Sequence, residues 1–136
     1  MTTQKLAIGS VLGAVVIFGL GIVIFDMLFL DYYTANAGAA AVGIRASQAY
    51  WAGFVGALGY GATITLMIGW LAGASALTNG LKAGALAGFL LWFTVDFTIY
   101  GYLDLWNITV TVLDIVLETI RAAITGAVVA LVISRL

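Results

Sequence analysis

The sequence predicts an all-α protein built as an integral membrane bundle of four transmembrane helices, and three observations carry that prediction. Apolar residues make up 64% of the chain and charged ones only 8%, a balance that belongs to chains lying in lipid. Several apolar runs exceed what a helix in a soluble core needs. At about 20 apolar residues per span, the 136 residues leave room for four helices and short connections, as a single domain over 1–136 without a separate soluble part.

The first span is read over 6–31. Its polar start, MTTQK, precedes an apolar stretch longer than the roughly 7 to 15 residues of a signal-peptide core, and Asp26 and Asp31 charge the end where such a peptide is neutral. Ala35-Asn36-Ala37 resembles a cleavage site, yet the segment is expected to persist as a helix. The small-residue stretch TANAGAAAVGIRASQA then forms the longest connection, with room for a short surface helix.

The second span is placed over 50–73. SALTNG follows as a turn, with Asn79-Gly80 its strongest signal. The third span runs over 82–105 and the fourth over 108–134, so these two form a tight antiparallel hairpin. Proline is absent, which predicts mostly continuous helices rather than the broken helices of many transporters.

Four spans put both termini on one side. That side collects Lys5, Lys82 and Arg135, whereas on the other Arg45 is opposed by Asp31 and Asp104, and the positive-inside rule then assigns the termini to the cytoplasm. Tyr32, Tyr33, Tyr50, Trp51, Tyr100, Tyr102 and Trp106 gather near the opposite ends of the helices, as an interfacial aromatic belt does.

The chain has no cysteine and no histidine. Disulfides, thiol chemistry, zinc sites and imidazole-ligated haem are thereby removed, and nothing in the sequence implies a cofactor. No basic cluster points to nucleic acid. Gly9-x-x-x-Gly13, Gly69-x-x-x-Gly73 and Gly84-x-x-x-Gly88, with Gly53, Gly56 and Gly59, supply small-residue faces that let helix backbones approach. Such faces serve packing within the bundle first, and a homo-oligomer or a larger membrane complex second.

The informative residues are polar ones inside the spans. At 100 degrees per residue, Asn107, Thr111, Asp114, Glu118, Arg121 and Thr125 share one stripe of the fourth helix, which must face the bundle or water. Counting about 1.5 Å per residue from the outer ends puts Asp26 roughly 8 Å deep, Asp96 roughly 14 Å, Asp114 roughly 9 Å, Glu118 roughly 15 Å and Arg121 roughly 20 Å. Four carboxyls thus share the outer half of the membrane with a single base. Full ionisation of that set in a dry core is improbable, so some carboxyls are protonated, a cation sits among them, or water reaches them.

Beside this, Thr94 and Thr98 read as structural, since threonine hydroxyls bond their own helix carbonyls. Trp92 and Tyr100 share a face with Asp96 and either anchor the interface or line a pocket, for which Asn107 and Thr111 are further candidates.

The stretch GALAGFLLWFTVDFTIYGYLDLWNITVTVLDIVLETIRAAITGA resembles a family of small four-helix bacterial inner-membrane proteins of unknown function. The likeness rests on Gly84 to Gly88, the acidic Asp96 to Thr98, Asp114-Ile115 and the late aspartate of the first helix, Asp26. It departs at Ile99, where the family tends to have asparagine, and at Glu118-Thr119, where it tends to have glycine-threonine. The resemblance implies the four-span layout and an inner-membrane location, and names no activity.

The expectation is an outward-facing intramembrane site, formed by Asp26, Asp96, Asp114, Glu118 and Arg121, for a cation, a proton or a small cationic ligand, with transport or permeation as its class. The competing expectation is a non-catalytic accessory subunit docking onto a larger complex. An intramembrane acid/base enzyme ranks third, because the acids lack the flanking glycine signature of membrane aspartic proteases and have no serine at their depth.

Overall fold

The computed structural model describes all residues 1–136, whose regular elements are all helices, with no strand. Helix α1 spans Thr3–Gly21 and opens on the Thr2 hydroxyl, which accepts the Lys5 N–H. It continues as a π-helical segment, Ile22–Leu28, and ends at Phe29. A short helix α2, Leu30–Ala35, and a 3₁₀ turn, Ala39–Gly43, occupy the long connection. The remaining helices are α3, Tyr50–Trp70, α4, Ala76–Tyr102, and α5, Ile108–Ile133. Four helices are long and apolar enough to cross a membrane: α1 with its π extension, α3, α4 and α5.

The first span is a single uninterrupted helix over Thr3–Leu28, its last seven residues widening into π geometry, a change that needs no proline. One reading of the sequence is corrected. The Asn79-Gly80 pair is not a turn. It lies inside α4, which starts at Ala76 rather than Lys82, because the Ser75 hydroxyl caps the Thr78 N–H. Asn79 is used instead as a clasp, its side-chain amide donating to the Ile68 carbonyl at 2.9 Å and so satisfying one orphan acceptor in the last turn of α3. The chain reverses over residues 71–75, entering through extended backbone at Leu71.

Packing follows the glycines. Helix α4 lies along α5 and α1 along α3, while α3 and α4 touch each other far less. A Cβ built on Gly13 would sit 2.9 Å from the Gly61 Cα, and one on Gly126 would sit 3.0 Å from the Gly84 Cα. Both seams therefore require bare backbone. Gly80, Gly84 and Gly88 all face α5, so the glycine patterns of the first and third spans serve packing within one chain. Gly56 and Gly59 differ, since a Cβ on either meets nothing within 4 Å. Ala14, Ile17, Ile64, Ala83, Ala122 and Val129 fill the core between the seams.

Both termini lie at one end of the bundle, where Met1, Lys5 and Ser134 border a common cavity. At the other end the long connection is tied to the α4–α5 turn. The Asp104 carboxylate accepts the Ala39 N–H at 3.1 Å, and the Gly38 and Ala40 N–H groups donate to the Leu105 and Asp104 carbonyls, each at 2.8 Å.

Candidate buried polar site

The polar stripe of α5 faces inward. Thr111, Glu118 and Thr125 are buried, with Glu118 only 2% exposed. Arg121 follows Glu118 by three residues, close to one helical turn, and its Nη1 donates to Glu118 Oε1 at 2.8 Å in the one ion pair of the chain. The guanidinium lies 5.5 Å from the Phe25 ring centroid and 6.0 Å from that of Tyr60, within range of cation–π attraction. Gly21 makes room for it, since a Cβ there would stand 3.0 Å from Arg121 Nη1.

Asp96 enters from α4 and is 8% exposed. Its carboxyl adjoins that of Asp114 and feels the charge of Glu118. From outside the spans, the Tyr33 hydroxyl of α2 donates to Asp114 Oδ1. Edge-to-face contacts fix the Tyr33 ring between Phe25, at 5.8 Å, and Trp106, at 5.3 Å. Burial, followed by the hydrogen bond to Asp114, raises the Tyr33 phenol far above its ordinary range.

Asp26 stands apart. It is part-exposed and lines a cavity of about 270 Å³ together with Phe25, Gln48, Tyr50 and Arg121. The bundle thus joins Asp96, Asp114, Glu118 and Arg121, while Asp26 shares a cavity with Arg121 and with none of the other acids. Depth counting assigns Asp26 a height along its helix but no direction, and the π turn that carries it rotates by less per residue than an α turn.

Among the suggested pocket residues, Trp92 borders a second cavity, of about 300 Å³, with Tyr60 and Arg121. Thr111 is buried and bonds the Asn107 carbonyl. Asn107 is exposed and structural: its Oδ1 caps the Val110 N–H and its Nδ2 donates to Asn36 Oδ1 at 2.8 Å. Tyr100 is 45% exposed and lies near Tyr102, Asp104 and Trp106 at the loop end. Tyr33, read from sequence as an interface anchor, and Tyr60, not singled out at all, complete the site. For Tyr60 the signal was its place in the middle of an apolar span, where a phenol needs a reason.

Six buried side-chain polar atoms have no hydrogen-bond partner. Five of them surround this site: Tyr60 Oη, Trp92 Nε1, Asp96 Oδ2, Glu118 Oε2 and Arg121 Nε. No group of three acids has the convergence of a metal-binding cluster. Comparison with protein-family models, with curated proteins and with solved structures finds no match.

Proposed function

We propose that the chain is a small inner-membrane protein, its termini cytoplasmic, whose interior carboxyls bind a proton or small cation that exchanges with the outer face, in the transport or permeation class. The observation carrying this reading is the imbalance of the buried charges. Arg121 neutralises Glu118, which leaves the adjoining Asp96 and Asp114 without a base, and Asp96 Oδ2 and Glu118 Oε2 without partners. Intramembrane ionisable groups are costly to retain unless they have such a use.

Access supports the same reading. The cavity that holds Asp26 borders Gln48 and Tyr50 at the loop end and Arg121, roughly 20 Å down α5. A polar route therefore reaches the ion pair from the loop end. The lack of a three-acid cluster favours a proton over a metal ion.

The test is proton flux in vesicles containing the purified protein and a trapped pH-sensitive dye. Asp96→Asn and Asp114→Asn are each expected to abolish flux while the helical content is unchanged. Wild-type flux in both variants would sink the reading. The competing role, an accessory subunit of a larger complex, draws on Gly56 and Gly59, whose bare faces meet nothing within the chain. It predicts no flux in the wild type and a change in co-purifying partners on Gly59→Leu.

A further inference from the structure

Asp26 and Arg121 carry opposite charges on the walls of one cavity and do not pair with each other, since the one ion pair of the chain is Arg121 with Glu118. The cavity, of about 270 Å³, lies between the end of the first span and the start of α3. On the first span it is lined by Phe18, Gly21, Ile22, Phe25 and Asp26, whose spacing makes them one stripe of that helix. Arg121 enters from α5 against Gly21, where a Cβ would sit 3.0 Å from Nη1 and 3.5 Å from Nη2. Its Nη1 is given to Glu118 and its Nε is enclosed by the fold. Nη2 is neither bonded within the chain nor enclosed, and the side chain keeps 12% of its surface open.

Opposite charges that face one space without touching recognise a molecule that brings both charges of its own. A simple anion is repelled by Asp26 and a simple cation by Arg121. Asp26 follows Gly21 by five residues, about 7–8 Å of rise. Charge-assisted hydrogen bonds of about 2.8 Å at each end take up most of that distance, which leaves the ligand's own charges about one or two carbon atoms apart. Phe18 and Tyr50 pack edge to face on the cavity wall, 6.2 Å between centroids, and aromatic walls suit an ammonium group. The mouth borders Gln48 and Tyr50, both exposed at the loop end, so the occupant arrives from water. Ile22, Phe25 and Asp26 belong to the π segment, a geometry that recurs at functional sites.

We propose that this cavity binds a small zwitterion, an α- or β-amino acid, with its ammonium group on Asp26 and its carboxylate on the free Nη2 of Arg121. The volume lies just below the range of drug-sized pockets and suits a molecule of few heavy atoms. The site uses neither Asp96 nor Asp114, and it stands whether or not those carboxyls exchange a proton or cation.

The experiment is equilibrium dialysis of the full-length protein in detergent micelles against ¹⁴C-labelled alanine and β-alanine, with ethylammonium and propionate as probes that keep one charge each. Binding is read without flux, so it is decided separately from the role of the carboxyl pair. The expected result is saturable binding of at least one of the two amino acids, weakened about tenfold or more by Asp26→Asn, as loss of a charge-assisted hydrogen bond implies. Asp26 is part-exposed and pairs with no cation, so this variant keeps the fold, which unchanged helical content checks. Ethylammonium is alanine without its carboxylate and tests Arg121 without a mutation; neither it nor propionate is expected to saturate the site. Ethylammonium binding as tightly as the amino acids, and lost on Asp26→Asn, overturns the zwitterion in favour of an organic cation. Amino-acid binding indifferent to Asp26→Asn, or no saturation with either amino acid, overturns the proposal and leaves the two charges to bridging water.

Discussion

The two halves of the bundle are built on opposite rules. Toward the termini, Gly13 meets Gly61 and Gly84 meets Gly126, backbone against backbone. Toward the loops, the same helices carry Phe25, Tyr60, Trp92, Asp96, Glu118 and Arg121, and two cavities open between them. The seams of small residues bring helix backbones into close van der Waals contact. That contact is what allows the other half to hold an ion pair, extra acids and unfilled space. One half is closed by bare backbone and the other holds the buried charges.

The largest expected effect breaks the polar half. Glu118→Ala leaves the Arg121 guanidinium buried without its partner, at a cost of about 3–5 kcal/mol, read as loss of stability in detergent unfolding. The double change Glu118→Leu with Arg121→Met removes both charges and is expected to recover most of that loss. Failure to recover would show that the Glu118 and Arg121 side chains are needed for packing beyond their mutual pairing.

Next comes the glycine half. Gly126→Ala puts a Cβ against the Gly80 carbonyl and 3.0 Å from Gly84, and is expected to cost about 1–3 kcal/mol by overpacking. Gly59→Ala is its control. With open space around it, it is expected to lose nothing and to gain up to about 1 kcal/mol of helix propensity. Equal effects at the two positions would erase the distinction between the seam and the outward face. Asn79→Ala is smaller: it frees the Ile68 carbonyl and is expected to lower stability by about 1 kcal/mol, seen as earlier amide exchange at the last turn of α3.

The smallest effect is a pH slope from Tyr33. With its phenol raised by burial and by Asp114, the folded chain keeps a proton that the unfolded chain releases above about pH 10. The unfolded state then binds fewer protons, so stability falls as pH rises through that range and is unaffected below it. Tyr33→Phe is expected to flatten the slope while leaving the tyrosinate absorbance of the folded chain near pH 10 unchanged, since Tyr33 does not titrate there.

Much of this was legible from residue spacing. A 26-residue apolar run gives a span without help, and the 100-degree stripe gave the inward face of α5, since charge cannot face lipid at reasonable cost. What spacing does not hold is direction across the bundle. Asp26, expected among the other acids, lines instead a cavity that borders Arg121 without them, on a π turn that no residue announces. Asn79-Gly80 misled for a related reason. The pair is a turn former by local preference, and tertiary contacts override that preference: Asn79 holds the Ile68 carbonyl and Gly80 lies against Gly126. Tyr33 and Tyr60 are aromatic like any belt residue, and only the folded chain separates the phenol that anchors from the phenol that touches an acid or a crevice.

The Asn79 clasp also sets a mechanical ratio. It fixes α3 to α4 near Ile68, while contact between those two helices elsewhere is slight and α3 lies along α1 instead, so α1 and α3 swing as one pair about that point. At about 1.5 Å rise per residue, a tilt of the pair by about 5° displaces Tyr60 by about 1 Å and Tyr50 by about 2 Å relative to α4. The space between α3 and α4 therefore widens toward the loop end in proportion to the length of a single helix.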